Sequence, residues 1–229
     1  MRIAYLGWGS LIWDQRSLRT QGEWRVDGPQ IPIEFARISA DGRLTLVICP
    51  ECPEVNEVRT LWAVADHKDL KEAMENLRER EDTSPERIGC LLTKHLGEGC
   101  QQFTRKRRAS KEPYATVWQS VLGSIREDGK NSHILNKKGL EQVRRWAIEE
   151  GIDAVLWTDL PSNWDCPPRE HCAGVMQPFN EDNVIAYLQR LRGGALDRAE
   201  RYIRFAPQQV DTPIRRRIEK ELGWGFRPD

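Results

Sequence analysis

The stretch Ala4-Tyr5-Leu6-Gly7-Trp8-Gly9-Ser10-Leu11-Ile12-Trp13 decides how the rest of the chain is read. An apolar run that stops at closely spaced glycines is the pattern of a strand feeding a sharp turn. Glycine tolerates dihedrals that strain other residues, so Gly7-Trp8-Gly9-Ser10 permits a tight turn with close backbone approach. Successive amides in such a turn can converge on an anion. Two readings stay open here, a plain turn or bulge and a ligand loop. The pattern is not a dinucleotide fingerprint, because position 12 is Ile where the third glycine would stand.

Working outward, Arg2 to Leu6 reads as the strand before this loop, and Ile31 to Ile38, Leu44 to Cys49, Val58 to Ala65 and Ile88 to Thr93 read as further short strands. Turn residues such as Asp41-Gly42 and Pro50 to Pro53 separate them. One helix interrupts this half. Asp66 is the expected N-cap with Asp69 three residues on, and Leu70, Ala73, Met74 and Leu77 fall on one face. A strand is expected around Tyr114 to Leu122, after a basic surface segment from Gln101 to Pro113.

The remainder alternates differently, with a helix near Gly139 to Glu150, a strand at Asp153 to Thr158 and a Pro-rich loop from Leu160 to Pro178. Helices around Val184 to Leu191, Leu196 to Ile203 and Ile214 to Leu222 follow, the last opened by Thr212 as cap and Pro213 in the first turn. With no repeat and no Gly/Ser linker, the expectation is one α+β domain over residues 1–229, with 179–229 as a helical C-terminal extension.

A chain of 229 residues can bury a core without covalent staples. Lys plus Arg and Asp plus Glu are 35 each, so charge supplies no general reason to expect nucleic acid or a membrane as partner. No stretch approaches the roughly 20 apolar residues that cross a bilayer. Asp14 interrupts the first apolar run and no small-residue cleavage site follows, so the start reads as a buried strand and the expected location is cytoplasmic. The six cysteines are therefore expected as reduced thiols. Cys49-Pro50-Glu51-Cys52 has the gap of a zinc or redox site, and Cys166, His171 and Cys172 could add ligands, although prolines 167 and 168 interrupt that second pair.

Leu6 to Trp13 closely resembles the Gly-Tyr-Gly-Ser-Leu-Ile-Trp opening of the ChaC branch of the γ-glutamylcyclotransferases. The resemblance implies a mixed β-sheet or small barrel with packed helices. It also implies that the backbone of Trp8, Gly9, Ser10 and Leu11 holds the glutamyl carboxylate of a small γ-glutamyl substrate. Trp8 departs from the family's usual Tyr, keeping an aromatic wall and losing a hydroxyl. The family also requires a glutamate at a helix end, in a pattern like Leu-x-x-Arg-Glu, and Leu77-Arg78-Glu79-Arg80-Glu81 supplies it. Phe35 to Ser39 resembles a middle strand of that family, and Asn183 with Tyr187-Leu188 faintly resembles its Asn-x-x-Tyr-Leu helix.

The alternative for Glu81 is a solvated helix end, and the helical wheel separates the two. At about 100° per residue from Leu70, Met74 lies at about 40°, Leu77 at about 340° and Glu81 at about 20°, whereas Glu79 lies at about 180°. Glu72 and Glu75 also fall on the outer side. A carboxylate along the apolar stripe is partly desolvated and becomes a better proton acceptor near neutral pH.

The implied reaction is attack of the substrate's α-amine on its own side-chain amide carbon, giving 5-oxoproline and a free amine. Glu81 is the expected catalytic base, and the chemistry needs neither a metal nor an organic cofactor. The competing readings are a non-catalytic module that keeps the carboxylate pocket and a zinc-dependent nucleic-acid-associated protein. Arg105 to Arg108 and Arg215 to Arg217 read as solvated charged faces. Trp62, Trp118 and Trp157 are expected in the core, and Trp164 as a pocket wall or loop anchor. Asp159 and Asn163 are read as capping or turn residues ahead of pocket residues. His67 is placed in a helical first turn and His95, His133 and His171 in loops, with no spacing that makes a triad or metal pair.

Overall fold

A computed structural model of the chain describes residues 1–52, 57–93, 114–165 and 175–227. The chain divides into two compact units, Met1–Leu6 with Gln15–Pro29 and Leu61–Asp159, and Gly7–Asp14 with Gln30–Thr60 and Leu160–Asp229. The expected C-terminal helices fall within the second unit.

The first unit is built on β1 (Ile3–Gly7, whose last residue already belongs to the second unit), β2 (Thr20–Arg25), β6 (Leu61–Ala65), β7 (Ile88–Leu92), β8 (Lys130–Asn131) and β9 (Ala154–Thr158). Their order is β2-β6-β1-β9-β7-β8, with β1 parallel to β9 and β7 antiparallel to both β9 and β8, so the sheet is mixed. The helices are α1 (Leu70–Glu81), α2 (Ala115–Asp128) and α3 (Lys137–Glu149). β1, β7 and β9 are buried nearly throughout, which is why they read as continuous apolar runs. The Tyr5 hydroxyl donates to the carbonyl of Ala73 at 3.0 Å and ties α1 to β1. Trp62 and Trp146 meet edge to face at 5.1 Å, and both indole N–H groups are satisfied by Asp27.

The second unit carries a three-stranded antiparallel sheet in the order β4 (Leu44–Ile48), β3 (Gln30–Ile38), β5 (Glu57–Arg59), with α4 (Glu181–Arg190), α5 (Gly193–Phe205) and α6 (Pro213–Leu222). Register shifts between Phe35↔Leu46 and Arg37↔Thr45, leaving Ala36 as the extra residue of a bulge. Thr212 caps α6 as expected, its side chain accepting from the Arg215 amide, with Pro213 in the first turn.

The expected mixed α+β architecture is present, and among the described residues neither sheet closes into a barrel. No described helix is long and apolar enough to cross a membrane.

Several local expectations are corrected. Tyr114 to Leu122 is not a strand; it opens α2, because Trp118, Val121 and Ile125 form one buried helical stripe. The N-cap of α1 is Asp69, which accepts from the Glu72 amide, and not Asp66; His67 therefore precedes the helix. Val58 to Ala65 is two strands, β5 and β6, which join different sheets on either side of Thr60. β2 was not anticipated, its exposed Gln21, Gly22 and Glu23 giving no apolar alternation. Cys49 and Cys52 are joined as a disulfide, whereas Cys90 is a buried free thiol. Gln101 to Pro113, with Arg105 to Arg108, and also His95, Cys100, Cys166, His171 and Cys172, lie outside the described residues.

Candidate functional site

The loop after β1 is pinned inside the second unit. Trp8 is buried and its indole N–H donates to the carbonyl of Leu46 on β4 at 3.3 Å. The Ile12 amide bonds the Gly9 carbonyl at 3.1 Å and the Asp14 amide bonds the Ser10 carbonyl at 2.9 Å, which makes Gly9 to Asp14 one helix-type turn. Carbonyls in such a turn point forward and its leading amides point back. Leu11 is buried and Ser10 half-buried.

Glycine is required here for room and not for dihedral freedom. Neither Gly7 nor Gly9 has a positive φ, so the loop is not an alternating left-handed nest. A Cβ on Gly9 would instead stand 2.4 Å from the Tyr202 hydroxyl. Tyr202, on α5, is fixed by edge contacts to Trp13 at 5.4 Å and Phe35 at 6.4 Å, and its hydroxyl accepts from the Leu46 amide at 3.4 Å. Tyr202 was not singled out from the sequence. Nothing local marks a residue 193 positions away as the partner of a glycine.

Glu81 stands in the first unit as the last residue of α1. The helix ends there because Asp82 takes a left-handed conformation at φ 48°, the Asp82 amide returning to Glu79 and the Thr83 amide to Arg78. That pair of bonds is a Schellman ending with Asp in the place glycine usually takes. The side chain of Glu81 is 17% exposed, against 35% for Glu75, 56% for Glu79 and 71% for Glu72, so Glu81 is the most shielded of the four, as the wheel leads one to expect. Its carboxylate accepts from the buried guanidinium of Arg80 at 2.9 Å. The negative end of the helix dipole opposes a carboxylate at this position, and the Arg80 charge offsets it. Glu75 is committed elsewhere, accepting from the Trp118 indole at 2.7 Å and from Arg78 at 2.8 Å.

The second unit holds an ionisable group that the sequence reading passed over. Glu34, in the middle of β3, is 1% exposed, and burial pushes its carboxyl up to about 7 against the pull of its hydrogen bonds. It accepts from the Thr212 hydroxyl, from the amide of Phe35 at 2.7 Å and from the amide of Ile214 at 3.4 Å, so its oxygens serve the start of α6. Phe35, next along the strand, points to the opposite face and meets Tyr202 there.

Asp159 and Asn163 act as turn residues. Asp159 is fully buried and accepts from the Ser132 hydroxyl, the His133 amide and the Trp157 indole at 3.2, 2.6 and 3.1 Å. The carboxamide of Asn163 both donates to and accepts from the backbone of Ile38 at 2.8 Å. Trp62, Trp118 and Trp157 are in the core, and Trp164 is a buried anchor against Phe179 and Tyr187. Arg215 is buried and donates to carbonyls of residues 206, 207 and 210, while Arg216 and Arg217 are paired with acids. Among the described residues no group of three His, Cys, Asp or Glu could hold a metal ion.

No protein-family profile, curated protein or solved structure matches the chain.

Proposed function

We propose that the chain is a γ-glutamylcyclotransferase-like enzyme that converts a small γ-glutamyl compound into 5-oxoproline and a free amine. The observation that carries the reading is the loop. The Gly7 to Trp13 string lies where a buried strand ends in a helix-type turn whose leading amides suit a carboxylate, with Trp8 and Leu11 anchoring it. Glu81, the most shielded glutamate of α1, is the base in this reading. It accepts a proton from the α-ammonium; the amine then forms the C–N bond that closes the five-membered ring, the ring nitrogen gives up a second proton as the side-chain amide C–N bond breaks, and both protons leave with the released amine as its ammonium. Because the nucleophile is part of the substrate, holding it folded supplies much of the rate. A positioned base typically adds about 10²–10⁴-fold. The proposed setting is the cytoplasm, with no nucleic acid, membrane, metal or organic cofactor required.

The Arg80–Glu81 ion pair is the observation that favours the alternative, a carboxylate-binding module without catalysis. Incubation with glutathione and a panel of γ-glutamyl amino acids and amines, following 5-oxoproline, separates the two. The enzyme reading expects turnover that is lost in a folded Glu81→Gln variant. Binding with the substrate recovered intact favours the module, and unchanged turnover in the variant removes Glu81 from the mechanism.

A further inference from the structure

Cys49 and Cys52 close the turn that follows β4, with Cα atoms 5.4 Å apart and two residues between them. The turn is held without the sulfurs. The Cys49 amide donates to the carbonyl of Pro32 at 3.0 Å and the Cys52 amide to the carbonyl of Cys49 at 3.2 Å, so a dithiol has the same backbone support as the disulfide. A ring this short removes little freedom from the unfolded chain, which makes the bond a weak structural staple. The pair packs on Ala36, Val47, Leu160 and Phe179, an apolar lining. Cys49 keeps 6% and Cys52 7% of their exposure, and Glu51 between them is exposed. Cys90 is the contrast: it is fully enclosed, and burial drives its thiol far above the ordinary range.

We propose that Cys49 and Cys52 form a reversible thiol–disulfide site that exchanges with low-molecular-weight thiols and disulfides. In the oxidising direction the thiolate of one cysteine attacks a small disulfide, giving a mixed disulfide and one small thiol. The second cysteine then displaces the other small thiol. Two electrons and two protons pass from the cysteine pair to the small disulfide, which becomes two thiols. The site does not depend on the cyclotransferase reading.

The test uses the intact protein in buffers of 2-mercaptoethanol and its disulfide, which carry no γ-glutamyl group and are not candidate substrates. After acid quenching and alkylation, trypsin releases both cysteines on the single peptide from Leu44 to Arg59. The expected result is a passage from doubly alkylated to unalkylated peptide over about a hundredfold change in the ratio of disulfide to squared thiol, as a two-electron exchange requires. An unalkylated peptide at every ratio, and after dithiothreitol on the folded protein, makes the bond a structural crosslink and overturns the proposal. So does full alkylation at every ratio. A parallel series with zinc in place of chelator covers the remaining reading: one zinc bound per reduced chain, with the peptide protected from alkylation, assigns the pair to metal instead.

Discussion

Glu34 and Glu81 are both shielded carboxylates, and their surroundings give them opposite characters. Glu34 is enclosed in the second unit with hydroxyl and amide donors on its oxygens, and its carboxyl is pushed up to about 7. Glu81 sits at the rim of α1 in the first unit, partly open to solvent and next to a buried guanidinium. An upward-shifted carboxyl taken alone points to Glu34, the residue whose oxygens already serve the Phe35 amide and the start of α6. A perturbed carboxyl marks a reacting group only when its oxygens can still reach a substrate.

The most severe way to break this comparison is to neutralise each acid in turn. Glu81→Gln is expected to lower 5-oxoproline formation by about 10²–10⁴-fold in protein that still unfolds cooperatively. Glu34→Gln is expected to leave turnover within about twofold. Loss of turnover in a folded Glu34→Gln protein with Glu81→Gln active would reverse the assignment.

The next effect is on stability. The carboxyl of Glu34 titrates near 7 when folded and near 4.5 when unfolded, so the folded state holds the extra proton between those values. Its contribution is present below pH 4.5 and is lost as pH rises through 7, a loss of about 3 kcal/mol. Denaturant midpoints between pH 4.5 and 8 should therefore decline more steeply in the wild type than in Glu34→Gln. Parallel curves would show that the burial of Glu34 is relieved in solution.

A third test concerns the loop in the same unit as Glu34. Gly9→Ala drives a methyl against the Tyr202 hydroxyl and is expected to cost about 1–3 kcal/mol. Removing that hydroxyl leaves the next ring atom at 3.4 Å, which most of the strain can tolerate. The double variant Gly9→Ala with Tyr202→Phe should accordingly recover about half of the loss, and strict additivity in the double-mutant cycle would show that the hydroxyl is not what excludes a side chain. The smallest effect lies beside Glu81. Asp82→Gly relieves a left-handed aspartate and is expected to raise stability by about 0.5–1 kcal/mol, read from the denaturant midpoint, with Glu81 left in place.

The sequence was most legible where the determinants are local. The apolar run before Gly7, the Thr212-Pro213 start of α6 and the wheel that ranks the glutamates of α1 all depend on neighbours within a few positions. It was least legible where a short apolar segment fits two periods. Thr116, Val117, Trp118 and Val121 suit a strand until Ile125 extends the buried stripe into a helical one. Thr60 likewise breaks an apolar run without any turn signal, because β5 and β6 belong to different sheets.

By itself the sequence determined an α+β chain, the strand and turn that open it, and the placement of Glu81 on the shielded stripe of its helix. Only the tertiary structure decided why Gly9 must be glycine, that Glu34 is enclosed, and that Cys49 and Cys52 are bonded. Helical and strand periods are written in adjacent residues. The space beside Gly9 and the enclosure of Glu34 are set by Tyr202 and Thr212, residues whose distance along the chain erases any local signal.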